Sequence, residues 1–384
     1  MNMIAQQLAQ RQQQGLLRSL RPAHHRQTGS LTVDGRALID LGSNDYLSLS
    51  SHPKLKQAAK EAIDRYGTGA GASRLLSGDF EWFHELEART AGFKGKESAL
   101  VLNSGYQANV GLMASLCGKG DAIFCDRLSH ASLLDGIRLS EAKLFRFQHN
   151  DIDHLESLLI RHSTKFTKCM VVTESVFSMD GDLAPLQAIA SLKARFGFTW
   201  FLDEAHATGV FGPNGSGLAA QAGVTDSVDL LMGTFGKALG SFGAYVACSI
   251  EMKQWLINTC RSFIYSTALP PGVIAANLAA LALIESEPYR RIELLKRADA
   301  LRERLKTLGF DVRGESQIIP VILGATERAV TLSGRLEDAG FRAQPLRPPT
   351  VPVGQSRLRV SLCYDHDQTV VDRLAACLEA VGDA

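Results

Sequence analysis

Thr234-Phe235-Gly236-Lys237-Ala238-Leu239-Gly240 follows the apolar run Val228 to Met232. A short apolar run of that kind reads as a buried strand, and it delivers a lysine just past its carboxyl end. Two further runs share the pattern. Phe198 to Leu202 ends in Asp203-Glu204-Ala205-His206, and Cys169 to Val172 leads through Thr173 and Glu174 to Ser178-Met179-Asp180-Gly181-Asp182. In open α/β sheets, ligands bind beyond the carboxyl ends of the strands. Lys237, Asp203, His206 and Ser178 are therefore expected on one sheet edge.

Moving outward from that edge, apolar runs alternate with helical patterns from about Ser43 to Leu269. Ala122 to Cys125 precedes a helical stretch from Ser129 to Leu139, and Leu144 to Phe147 follows it. Asn150-Asp151 caps a helix running to Arg161, and Pro185 opens another in the favoured first turn. Such alternation predicts an α/β fold with a mostly parallel sheet wrapped by helices. Residues 1–42 read as an N-terminal arm: a helix carrying Ile4 and Leu8, lying on the body or on a partner, then short strands around Asp34-Gly35. Pro270-Pro271 divides a large domain, 43–270, from a smaller α+β C-terminal domain, 271–384.

Composition narrows the function. The 384 residues are 45% hydrophobic, enough for a large core. The 41 basic and 40 acidic residues leave a net charge of +1, so no basic surplus points to nucleic acid or to a membrane surface. The seven cysteines are scattered singly, as buried free thiols in a reducing cytoplasm would be. Residues 1–21 lack the apolar core of a secretory signal, and Val273 to Ile284 is too short to span a bilayer. No histidine–carboxylate spacing resembles a metal site.

The chemistry at the sheet edge is that of pyridoxal phosphate. Lys237 can form an imine with an aldehyde cofactor. An ordinary lysine, with a pKa of about 10.4, is a poor nucleophile at neutral pH, and partial desolvation corrects this. Asp203 follows Trp200-Phe201-Leu202, where an unpaired carboxylate is costly. A protonated pyridine nitrogen removes that cost and keeps the ring an electron sink. Asn103-Ser104-Gly105-Tyr106 begins a helix after a strand, so its backbone N–H groups suit a phosphate, with Thr234 adding a hydroxyl. His130 opens another helix and can stack on a flat ring. Taken singly, each has an ordinary alternative: a lysine past a strand is usually solvated, and Ser-Gly before a helix is usually a cap.

Two look-alikes fail on context. Gly67-Thr68-Gly69-Ala70-Gly71 follows a helical segment and not a strand, so it lacks the setting of a dinucleotide loop. A P-loop ending in Gly236-Lys237 would need Gly at 231 and Ser or Thr at 238, where the chain has Leu231 and Ala238.

Together these motifs resemble the α-oxoamine synthases, a fold type I family of pyridoxal-phosphate transferases that join an amino acid to an acyl thioester and release carbon dioxide. The resemblance runs from Ser43-Asn44-Asp45-Tyr46-Leu47 to Arg357-Leu358-Arg359 and includes Phe177 to Asp182, Asp203 to His206 and Thr234 to Lys237. It implies a mostly parallel seven-stranded sheet and a homodimer with shared active sites. Arg347 to Pro352 is similar to the branch using L-alanine and a pimeloyl thioester, of coenzyme A or of acyl carrier protein, in biotin biosynthesis. Siblings using glycine, such as 2-amino-3-ketobutyrate ligase or 5-aminolevulinate synthase, are the alternative, and an inactive scaffolding relative is a remote one. The resemblance also implies roles. Lys237 carries the cofactor and moves the α-proton, Asp203 pairs with the pyridine nitrogen, His206 contacts the ring hydroxyl, and His130 stacks on the ring. Gly105, Tyr106 and Thr234 serve the phosphate region, Ser178 contacts the cofactor, and Ser266 and Thr267 reach a partner's site. Arg359, with Asn44 nearby, takes the amino-acid carboxylate, and Arg18 and Thr350 bind the acyl substrate.

Overall fold

In the computed structural model, which describes residues 2–14, 16–18, 20–27 and 29–382, strands form three sheets. The arm contributes β1 (Ala23–Gln27), β2 (Ser30–Val33) and β3 (Arg36–Asp40). The large sheet is built from β4 (Ser98–Leu102), β5 (Ala122–Asp126), β6 (Lys143–Phe147), β7 (Cys169–Glu174), β8 (Thr199–Asp203), β9 (Leu230–Thr234) and β10 (Ala244–Cys248). The C-terminal part supplies β11 (Asp311–Val312), β12 (Ile318–Gly324), β13 (Phe341–Arg342), β14 (Pro345–Leu346) and β15 (Ser356–Ser361).

The large sheet has the order β4-β10-β9-β8-β7-β5-β6. All its pairings are parallel except those of β10, which runs antiparallel to both neighbours. This is the mostly parallel seven-stranded sheet of the sequence reading. Its central strands are buried on both faces, as near-continuous apolar runs require. Along β8, Trp200 and Leu202 enter one core while Phe201 enters the other, the period of two that a strand imposes.

The parallel strands end together, and each end feeds a turn or a helix start. Asp203 closes β8, Glu174 closes β7 and Thr234 closes β9. Ser104 caps the helix Gly105–Leu116 after β4, accepting the Gln107 N–H at 3.2 Å. His130 caps the helix Ala131–Ser140 after β5. Gly67 lies past the helix Pro53–Tyr66, so that glycine cluster does follow a helix. Pro185 sits at the cap position of Leu186–Phe196, one residue before the expected first turn.

The arm and the C-terminal part are joined by a shared sheet, because β13 pairs in parallel with β3. The C-terminal sheet, β11-β12-β15-β14, is small and antiparallel. The first helix, Asn2–Gln13, has no buried residue, and Ile4 and Leu8 are exposed. It does not lie on the body of its own chain, which corrects one of the two placements expected for it. All seven cysteines are free, and five of them are buried. Among the described residues, no helix is long and apolar enough to cross a membrane.

Candidate active site

A pocket of about 310 Å³ opens at the carboxyl edge of the large sheet. Asn44, Gly105, Tyr106, His130, Asp203, His206, Thr234 and Lys237 all line it. Residues up to 193 positions apart are thus brought together by the common ending of the strands.

Lys237 Nζ lies 2.8 Å from His206 Nε2. Burial brings the Lys237 ammonium down to about 8, with nearby Arg359 acting in the same direction and Asp203 and Glu174 opposing it. Burial, reinforced by Lys237 and Arg359, drives His206 well below the ordinary imidazole range, so its ring is neutral at pH 7. The other ring nitrogen, Nδ1, meets the Tyr46 hydroxyl at 2.7 Å, and Gln317 donates to the His206 carbonyl at 2.9 Å. A lysine so placed is partly neutral near physiological pH and can act as nucleophile and base.

Asp203 is held by two donors. The Ala205 N–H reaches Oδ1 at 2.9 Å, and Asn109 Nδ2 reaches Oδ2 at 3.0 Å. On the adjacent strand, in register with Asp203, Glu174 accepts the His130 N–H at 2.5 Å. Burial and the neighbouring Asp203 raise Glu174 to about 8. Burial also depresses His130, so that imidazole is neutral too.

Arg359 stands at the rim, outside the pocket lining but in contact with it. Its Nη2 donates to Asn44 Oδ1 at 3.2 Å and to the Tyr46 hydroxyl at 3.3 Å. Its Nε donates to the Ser178 carbonyl at 2.6 Å. Ser178 therefore meets Arg359 through its backbone and does not line the pocket. Ser266 and Thr267 also lie off the pocket: Gln107 bonds to the Ser266 hydroxyl, and Asn103 donates to the Thr267 carbonyl at 2.7 Å. Arg18 and Thr350 meet each other at 3.4 Å on the surface. Tyr46, Asn109, Ser132 and Glu174 were given no role from the sequence. Tyr46 lies inside the motif Ser43 to Leu47, but a side chain's direction is not visible in a motif.

The residues fit pyridoxal phosphate. The amine and the carboxylate share one pocket, and Thr234 Oγ1 is buried there without a partner. That hydroxyl adjoins the start of the helix Gly105–Leu116, where free N–H groups await an anion. A Cβ at Gly105 would come within 2.8 Å of Thr234 Cγ2, so glycine keeps this cradle open.

Comparison with known proteins agrees. The family model "Aminotransferase class I and II" matches residues 36–378. The 8-amino-7-oxononanoate synthase of Geobacter sulfurreducens is 50% identical over 382 residues, 99% of this chain and 97% of its own. That of Anaeromyxobacter dehalogenans is 49% identical over 368 residues, 96% of this chain and 92% of its own. The chain belongs to the 8-amino-7-oxononanoate synthase family, within aminotransferase class I and II.

Solved structures agree with that membership. Sphingomonas wittichii serine palmitoyltransferase superposes with a TM-score of 0.94 at 33% identity, covering 100% of this chain and 96% of that one. The 8-amino-7-oxononanoate synthase of Francisella tularensis gives a TM-score of 0.79 at 29% identity, covering 90% and 98%. A serine palmitoyltransferase structure holding pyridoxal phosphate gives a TM-score of 0.95. The fold is fold type I, and as a member of this family the chain is a pyridoxal-phosphate-dependent acyltransferase.

Proposed function

We propose that this chain condenses L-alanine with a pimeloyl thioester, giving 8-amino-7-oxononanoate, carbon dioxide and free thiol. A single observation carries the proposal: Lys237, Asp203, His206 and His130 converge on one pocket, in a chain half identical to proteins named for that product. Pyridoxal phosphate, bound there, supplies an electron sink for charge developing at the amino-acid Cα.

The chain's own residues do the rest. Asp203 is placed for the pyridine nitrogen, and Gly105, Tyr106 and Thr234 for the phosphate. His206 would serve the ring hydroxyl, and Ser178 holds Arg359 through its backbone carbonyl. Arg359, beside Asn44, grips the alanine carboxylate with a planar fork that a lysine lacks. That grip sets the angle of the Cα–H bond, and orientation of this kind supplies roughly 7–11 kcal/mol of a barrier. Lys237 Nζ takes the α-proton and later returns one to the product. His130, which also lines the pocket, would stack on the cofactor ring. Arg18 and Thr350 hold the acyl chain, carried by coenzyme A or acyl carrier protein.

A second copy of the chain completes the site in this proposal. Tyr106 and Phe242 line the pocket yet are each 53% exposed, and Tyr265, beside Ser266, is 72% exposed. A homodimer covers them and lets Ser266 and Thr267 reach the partner's cofactor. We also place the enzyme in the cytoplasm, where its free thiols stay reduced, and divide it into an arm (1–42), a large cofactor domain (43–270) and a small domain (271–384).

Mass spectrometry of the product tests the reaction. Alanine with pimeloyl-coenzyme A is expected to give the nine-carbon amino ketone. A product from glycine alone would transfer the chain to a glycine-using sibling.

A further inference from the structure

Asn109 is 2% exposed, and its carboxamide spends both N–H bonds inside the site. Nδ2 lies 3.0 Å from Asp203 Oδ2 and 3.0 Å from Ser132 Oγ. The Ser132 hydroxyl, having accepted that bond, lies 2.7 Å from His130 Nδ1, and the Ser132 backbone N–H points at the same nitrogen from 3.3 Å. An N–H can only donate, so Nδ1 is an acceptor and the neutral His130 ring carries its proton on Nε2. The orientation of the amide is also fixed. Flipping it would set a carbonyl oxygen against the Asp203 carboxylate. In the orientation present, Asn109 Oδ1 is buried with no partner. An orphaned buried acceptor is destabilising, so the donor end of the amide is held in the site against a cost in stability.

We infer that Asn109 is a positioning residue that joins the two polar faces of the cofactor site, fixing the Asp203 carboxylate and, through Ser132, the tautomer of His130. The inference rests on the pyridoxal-phosphate assignment, not on which amino acid is condensed. Its test therefore reads cofactor binding.

Two variants decide it. Asn109→Leu keeps the volume and removes both donors and the orphaned oxygen. The cofactor dissociation constant of the full chain is expected to rise about tenfold, the loss of roughly one hydrogen bond to a charged group. The melting temperature of the cofactor-free protein is expected not to fall. An unchanged dissociation constant, or one that changes only together with a lowered melting temperature, would overturn the inference. Asn109→Asp keeps the shape but donates only when protonated. Its cofactor affinity is expected to approach wild type near pH 6 and to weaken about tenfold by pH 8.5, because two adjacent carboxyls share one proton. An affinity with the wild-type pH dependence would overturn the inference, whatever Asn109→Leu does.

Discussion

Lys237 Nζ and His206 Nε2 stand 2.8 Å apart, with Tyr46 2.7 Å from the other nitrogen of the same imidazole. Two basic groups so close cannot both be charged, and burial settles the matter: His206 is neutral and Lys237 comes down to about 8. The rate of pyridoxal phosphate attachment to the cofactor-free protein is therefore expected to rise with pH and to level off above about 8. Stopped-flow absorbance across pH 6–10.5 reads this midpoint. A value near the ordinary lysine range, about 10.4, would contradict the buried geometry. Lys237→Ala is expected to lose the visible absorption band of the loaded protein.

Asp203→Asn keeps the shape and the Ala205 contact but removes the carboxyl group. Some cofactor is expected to remain bound, while turnover falls on the order of 10²-fold or more, as when one preorganised electrostatic partner is lost. Absorbance titration and steady-state rates measure the two effects separately. Wild-type turnover would end the electron-sink role.

Arg359→Lys retains the charge and loses the fork that reaches Ser178, Ser361 and Asn44 together. The KM for alanine is expected to rise by roughly 10–100-fold, equivalent to one hydrogen bond between charged groups. An unchanged KM with a lowered kcat would place the carboxylate elsewhere.

Behind the site, Lys94 and Glu204 form an ion pair whose side chains are 1% and 0% exposed. Glu204 Oε1 also accepts the Ala219 N–H at 2.9 Å. Lys94→Met strands a buried carboxylate and is expected to cost about 3–5 kcal/mol in urea unfolding. Adding Glu204→Gln is expected to recover most of that loss, and a double variant no more stable than the single would rule out the charge explanation.

His149 bridges Asp126, at 3.0 Å, and Asp182, at 2.6 Å, and so ties the end of β5 to the loop that carries Ser178. Burial opposes its charge, but hydrogen bonds to the two carboxylates win and raise it to about 10. A folded pKa above the unfolded value of about 6.5 means stability fully present below pH 6.5 and lost as pH rises through about 10. His149→Gln is expected to lower the melting temperature at pH 6 and to converge on wild type by pH 10.5. An equal gap at both pH values would show that packing, not charge, holds the bridge.

Much of this was legible in the chain. Leu230–Thr234 and Thr199–Asp203 are short apolar runs closed by polar residues, and buried parallel strands must end that way, because their last residues face solvent or ligand at the sheet edge. That sufficed to set Lys237, Asp203 and His206 on a common edge and to reject the glycine cluster after Tyr66. The first helix was legible as a helix but not in its placement. Amphipathicity says that a face needs covering, not what covers it.

Sequence order alone determined the alternation of elements and the setting of Lys237 and Asp203 at or just past the ends of their strands, since each depends on residues close in the chain. Tertiary structure alone decided what touches what: Tyr46 on His206, Asn109 on Asp203, Arg359 on the Ser178 carbonyl. Those contacts join residues 94 to 181 positions apart. No local periodicity encodes them, because side-chain direction across a packed sheet is fixed only when the strands have found their neighbours and register.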